Sequence, residues 1–149
     1  MLMDKKFMLK AIELAKEAAK NGEIPVGAVV VRNGEIVGVG KNDREQTSSA
    51  LGHAEIRAIE DASKNLNSWR LDDCELYVTL EPCIMCAGAI INARIKSVIF
   101  GAYDFAAGAC GSAQNVFTAN KTTEIYSGIC EGQCTEILQN FFKDLRTQG

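Results

Sequence analysis

The stretch PVGAVVVRNGEIVGVG, residues 25–40, restricts the fold more than any other. Two runs rich in valine flank Asn33-Gly34, and both turn residues tolerate the positive φ that a two-residue connection requires, so the run predicts an antiparallel hairpin. Strand and helix signals alternate around it. Residues 4–21 carry Phe7, Ala11, Leu14, Ala15 and Ala18 at helical spacing, with Asp4 as cap and Gly22 as stop. HAEIRAIEDASKNL predicts a helix beginning at or just after His53, and ELYVTL predicts a strand. Glu81-Pro82 should start a third helix through CIMCAGAIINAR, because proline suits the first helical position. SVIFGA and TTEIYSG read as further strands, and CTEILQNFFKDLR as a closing amphipathic helix; KNDREQTSSALG reads as a polar loop and AAGACGSAQ as irregular. Strands interleaved with helices indicate an α/β chain, and the hairpin makes its sheet mixed. The expectation is one three-layer α/β/α domain over residues 1–149, with a central sheet of about five strands and helices on both faces.

A net charge of −3 argues against indiscriminate binding to nucleic acid, while leaving room for a local basic patch. No apolar run approaches the length of a membrane span, and MLMDKKFMLKAIELAKEAAK lacks the form of a signal peptide, so a cytoplasmic location is expected. The six cysteines then read as thiols, metal ligands or catalytic groups rather than bridges.

Two short stretches carry the chemistry. EPCIMC puts Cys83 and Cys86 three apart, on one face of a helix's first turn, where the positive helix end favours thiolates. GHAEI holds the one histidine, His53, at another helix start. Three such donors would hold Zn²⁺ and leave its fourth position open, which is the arrangement of a catalytic rather than a structural zinc. Glu55 would stand beside the ion as a proton acceptor. Separately, each piece has a plainer reading: Cys-x-x-Cys as a redox pair or half a structural zinc site, histidine as a cap. Cys130 and Cys134 could complete a closed four-cysteine site with Cys83 and Cys86, but that would leave His53 and Glu55 without a role. Buried free thiols are the expectation for Cys74, Cys110, Cys130 and Cys134.

HAEI followed by PCIMCAGAI resembles the zinc-dependent cytidine and nucleoside deaminase superfamily. From PVGAVVV through SWRLDDCELYVTLEPCIMCAGAI and FGAYDFAAGACGS to the closing FF, the chain is similar to the bacterial tRNA-specific adenosine deaminase family. The resemblance implies a cytidine-deaminase-like fold and one zinc on His53, Cys83 and Cys86, with Glu55 as proton shuttle. It implies that Asn42 and the backbone N–H of Ala54 meet the flipped base, and that Asp104 lies near the bound nucleotides. It also implies a homodimer that converts the wobble adenosine of a tRNA anticodon stem-loop to inosine. Ala50-Leu51-Gly52 and Asn120-Lys121-Thr122 depart from the family's usual triplets at the rim. Arg44, Arg70, Arg94, Lys96, Lys121, Lys143 and Arg146 are the basic residues available for an RNA path. Phe141 and Phe142 read as core anchors, with one of them a base-stacking platform if the resemblance holds. Two other readings stay open: a deaminase of a free base or nucleoside such as guanine, cytosine or adenosine, and a zinc or RNA-binding module without catalysis.

Overall fold

The hairpin forms where the sequence places it. In the computed structural model, which describes residues 3–120 and 122–148, Asn33 and Gly34 take φ of 51° and 77° and join β1 (Gly27–Arg32) to β2 (Glu35–Lys41). α1 (Lys5–Lys20) precedes them, and the Asp4 side chain accepts from Lys6 N–H as its cap. A short α2 (Arg44–Thr47) and then α3 (Ala54–Leu66) lead to β3 (Cys74–Leu80). α4 (Ile84–Asn92), β4 (Ser97–Ala102), β5 (Glu124–Tyr126) and α5 (Glu131–Gln148) complete the order.

The five strands form one sheet in the order β2-β1-β3-β4-β5. β1 pairs antiparallel with both β2 and β3, whereas β3–β4 and β4–β5 are parallel, so the sheet is mixed as expected. Alternation along the strands divides two cores. Ala28, Val30, Leu76, Val78, Val98 and Phe100 face Ala54, Ala58, Ala87 and Ile90 of α3 and α4. Val29, Val31, Tyr77 and Ile99 face Phe7, Met8 and Ala11 of α1 and Cys134 of α5. The layers are therefore α/β/α. α3 lies unusually close to β2, because a Cβ on Gly38 or Gly40 would run into the backbone of Ala58 and Ala62 or of Ala54 and Ala58. Among the described residues, no helix is long and apolar enough to cross a membrane.

Three expectations need correction. The third helix does not start at Glu81-Pro82: Cys83 is its N-cap in extended conformation (φ −76°, ψ 178°), and Pro82 lies before it. The residue preceding a proline is driven out of the helical region, which leaves Glu81 extended and free for another task. The polar loop after β2 contains α2, whose backbone N–H groups at Glu45 and Gln46 donate to the buried Glu23 carboxylate. Phe141 and Phe142 belong to neither buried cluster; they meet edge-on at 5.5 Å on α5, and Phe141 lines a cavity of about 370 Å³ with Ala19 and Leu145.

Candidate active site

α3 and α4 begin side by side, and each start offers metal-ligating atoms. His53 is the N-cap of α3, still extended (φ −99°, ψ 147°), so its ring is not bound to helical spacing. Cys83 caps α4 and Cys86 sits in that helix's first turn. His53 Nδ1 lies 3.6 Å from Cys83 Sγ and 3.4 Å from Cys86 Sγ. Among the described residues these three form the one histidine, cysteine and acidic group whose ligand atoms come together, all within 4.8 Å of one another. An ion about 2.0 Å from nitrogen and 2.3 Å from sulfur in a tetrahedron would separate them by ~3.5 Å, so the donor set fits zinc. Cys130 and Cys134 are not part of the cluster, and all six cysteines are free thiols. Cys74 and Cys134 are buried as expected; Cys110 and Cys130 are only partly so.

The electrostatics suit a cation. The Cys86 thiol hydrogen-bonded to Cys83, and then the His53 ring beside it, pull the Cys83 pKa down to about 3. Cys86 is pushed well up because its proton serves that same bond and because it is buried. Cysteine binds a metal as thiolate, so a divalent ion held here would displace a cysteine proton. The hydrogen bond to Cys83 raises the His53 pKa.

Glu55 is the next residue of interest. It is 4% exposed, lies beside the Cys86 thiol, and burial raises its pKa to about 7. A carboxyl poised there can hold or release a proton near neutrality. Asn42 is also buried, and its Oδ1 accepts from Ala54 N–H at 2.8 Å. The two positions expected to meet a base are thus one connected pair, with the Asn42 Nδ2 left over to donate. Asp104 Oδ1 accepts from Ala106 and Ala107 N–H, shaping a tight turn.

The basic residues are not gathered equally. Arg44 is near enough to His53 to depress its pKa by like charge. Arg70 is paired with Asp72, beyond the far end of α3, and Arg94 donates to the carbonyls of Ile91 and Asn92. Lys143 and Arg146 lie on α5, in the opposite layer. Lys121 lies outside the described residues. A concavity of about 1010 Å³ between α1 and α5 shares no residue with the cluster.

Sequence reasoning missed two buried glutamates, Glu23 and Glu81, which hold backbone N–H groups of the loops around the site. The available signal was a glutamate within two residues of a proline beside an apolar strand, in EIP ahead of β1 and EPC after β3.

Comparison with known proteins agrees with this geometry. Residues 3–146 match the family described as MafB19-like deaminase. The tRNA-specific adenosine deaminase of Bacillus subtilis (strain 168) is 44% identical over 149 residues, covering 98% of this chain and 92% of the relative. A structure solved in a study of A-to-I editing by tRNA:A34 deaminases at the wobble position of transfer RNA superposes with a TM-score of 0.85 at 37% identity, covering 91% of this chain and 100% of that one. Guanine deaminase from Bacillus subtilis is 41% identical but reaches a TM-score of 0.63, covering 75% of this chain and 69% of its own.

Proposed function

Because the chain belongs to the MafB19-like deaminases and, within them, to the tRNA-specific adenosine deaminase family, we propose that it hydrolyses the wobble adenosine of a tRNA anticodon to inosine with release of ammonia. The observation that carries this reading is the meeting of His53 Nδ1 with two cysteine sulfurs at 3.4 and 3.6 Å beside a buried glutamate. His53, Cys83 and Cys86 would hold one Zn²⁺. Bound there, the ion supplies Lewis-acid activation of the water that adds to C6 of adenine. Glu55 takes one proton from the adding water and gives it to N1, then takes the second from the new C6 hydroxyl and gives it to the amine, so that C6=O forms as the C–N bond breaks and ammonia leaves; a pKa near neutrality lets one carboxyl do both. Asn42 orients the base through its amide, itself fixed by Ala54 N–H. Asp104 stands on the loop that would face neighbouring nucleotides. An anticodon loop presents an unstacked base at low cost, which suits a site at the ends of two helices.

The 44% identity over 98% of the chain to a tRNA-specific adenosine deaminase favours an RNA substrate over a free base. The active unit is proposed to be a homodimer: Leu51 and Ile84, 55% and 57% exposed and close in sequence to the ligands, are apolar surface that a second copy would cover. A tRNA substrate fits the expected cytoplasmic location.

The test is incubation of the zinc-loaded protein with an anticodon stem-loop carrying adenosine at the wobble position, followed by sequencing. That adenosine should be read as guanosine, and Glu55→Gln should abolish the change while zinc stays near one per chain. Full turnover by Glu55→Gln, or ammonia released only from free bases and nucleosides, would contradict the reading.

A further inference from the structure

Glu81 is 2% exposed and sits between the end of β3 and Pro82, two residues before Cys83. Its carboxylate accepts four hydrogen bonds, all from one segment. Oε1 accepts from Asp104 N–H at 3.1 Å and from Ser112 Oγ; Oε2 accepts from Cys110 N–H at 3.0 Å and Ser112 N–H at 3.1 Å. A carboxylate this deeply buried is costly unless its lone pairs are filled, and four donors fill them. The fit leaves no slack: a Cβ on Gly108 would collide with the Glu81 carboxyl group. Ala109 N–H adds a bond to Pro82 O at 2.8 Å.

Segment 104–112 has no helix and no sheet strand of its own. It nevertheless carries Asp104 and, at 78% exposure, Phe105, which stacks on Tyr103 with ring centroids 6.0 Å apart. A loop that displays such groups to solvent needs an anchor, and the anchor is the residue that leads directly into the sulfur ligands. We propose that Glu81 is a positioning residue for deamination: it locks segment 104–112 to the turn bearing Cys83 and Cys86. The wall that receives the nucleotides beside the target base then stands at a fixed distance from the ion site. This rests on the reading that the rim accepts an RNA loop.

The test compares zinc-loaded wild-type protein with Glu81→Gln and Ser112→Ala. Glutamine presents an amide nitrogen to N–H donors, so at least one of the three backbone bonds becomes repulsive, and two do if the nitrogen takes the Oε2 position; Ser112→Ala removes one. Backbone hydrogen exchange at 104, 110 and 112 should accelerate by about tenfold or more in Glu81→Gln, with α3 and α4 unchanged. Zinc should stay near one per chain, KM for the stem-loop should rise by about tenfold or more, and kcat should stay within about threefold. Ser112→Ala should show the same pattern at roughly two- to threefold in KM. A fall in kcat or in active fraction with KM unchanged would reduce Glu81 to a fold-holding role, and unaltered exchange in 104–112 would remove the lock altogether. Should Glu81→Gln fail to fold, Ser112→Ala decides, and wild-type KM and exchange in that variant overturn the proposal. If wild-type protein leaves the stem-loop unmodified while Glu81→Gln still frees the segment, the RNA reading fails and the lock stands.

Discussion

At the scale of single residues, the site is a set of protonation equilibria suited to a cation. Hydrogen bonding from Cys86 pulls the Cys83 pKa down to about 3, while that same bond and burial push Cys86 well up. Zinc binding at pH 7 should therefore release at least one proton per ion, measurable by calorimetry in two buffers of different protonation enthalpy; zero release would contradict the assignment. Glu55 makes a second prediction, whose sign is opposite to that of a salt-bridged acid. Its folded pKa of about 7 lies above the ordinary carboxylate value, so folding disfavours its charged form. Below about pH 4.5 both states are protonated and nothing is lost; as pH rises to 7 the cost grows, and above 7 it is constant. Metal-free Glu55→Gln should thus be more stable than metal-free wild type at pH 8, on the order of 3 kcal/mol, with the gap closing by pH 4.5 in urea titrations. His53, Cys83, Cys86 and Glu55 could be singled out from residue type and spacing alone. Glu23 and Glu81 could not, because a carboxylate that fills backbone donors 22 to 31 residues away obeys no local period.

At the scale of elements, precision comes from close approach. Gly40 lets α3 lie against β2 just where His53 and Glu55 begin that helix, and Gly38 does so a turn further along. Gly40→Ala should push the helix away, costing about 1–3 kcal/mol by chemical denaturation and weakening zinc affinity as well. Gly34→Ala is the contrast: open space surrounds its Cβ position, and only the positive φ is strained, so about 1 kcal/mol of stability is lost with zinc affinity intact. Equal zinc affinity in the two variants would count against the packing account. Elements with strong local codes were legible in the sequence, among them Asn33-Gly34, the α1 periodicity and the apolar SVIFGA strand. The start of α4 was not. Pro82 has the right φ for a first helical residue, yet Cys83 must stay extended to aim its sulfur at His53, and that demand is tertiary. α2 was missed for a similar reason, since its four residues take their N-terminal acceptor from distant Glu23.

At the scale of the whole molecule, the two helical layers divide their work. α3 and α4 point their N-terminal ends at the ion site, while α1 and α5 cover the other face. In a protein of net charge −3, attraction for RNA must come from few groups, and among the described residues Arg44 is near enough to His53 to act on its charge. Binding of the stem-loop to Glu55→Gln protein should depend weakly on salt, and adding Arg44→Ala should lower the slope of log affinity against log salt by about 0.7. Lys143→Ala and Arg146→Ala should leave it unchanged; a larger effect from those two would move the RNA path to the opposite layer. The mixed sheet also bears on biosynthesis. Its antiparallel half and every sulfur and nitrogen donor emerge from the ribosome by residue 86, ahead of β4, β5 and α5. A nascent chain thus has its full complement of metal-grasping atoms while Glu81 still awaits residues 104–112, so ion capture can precede closure of the substrate wall.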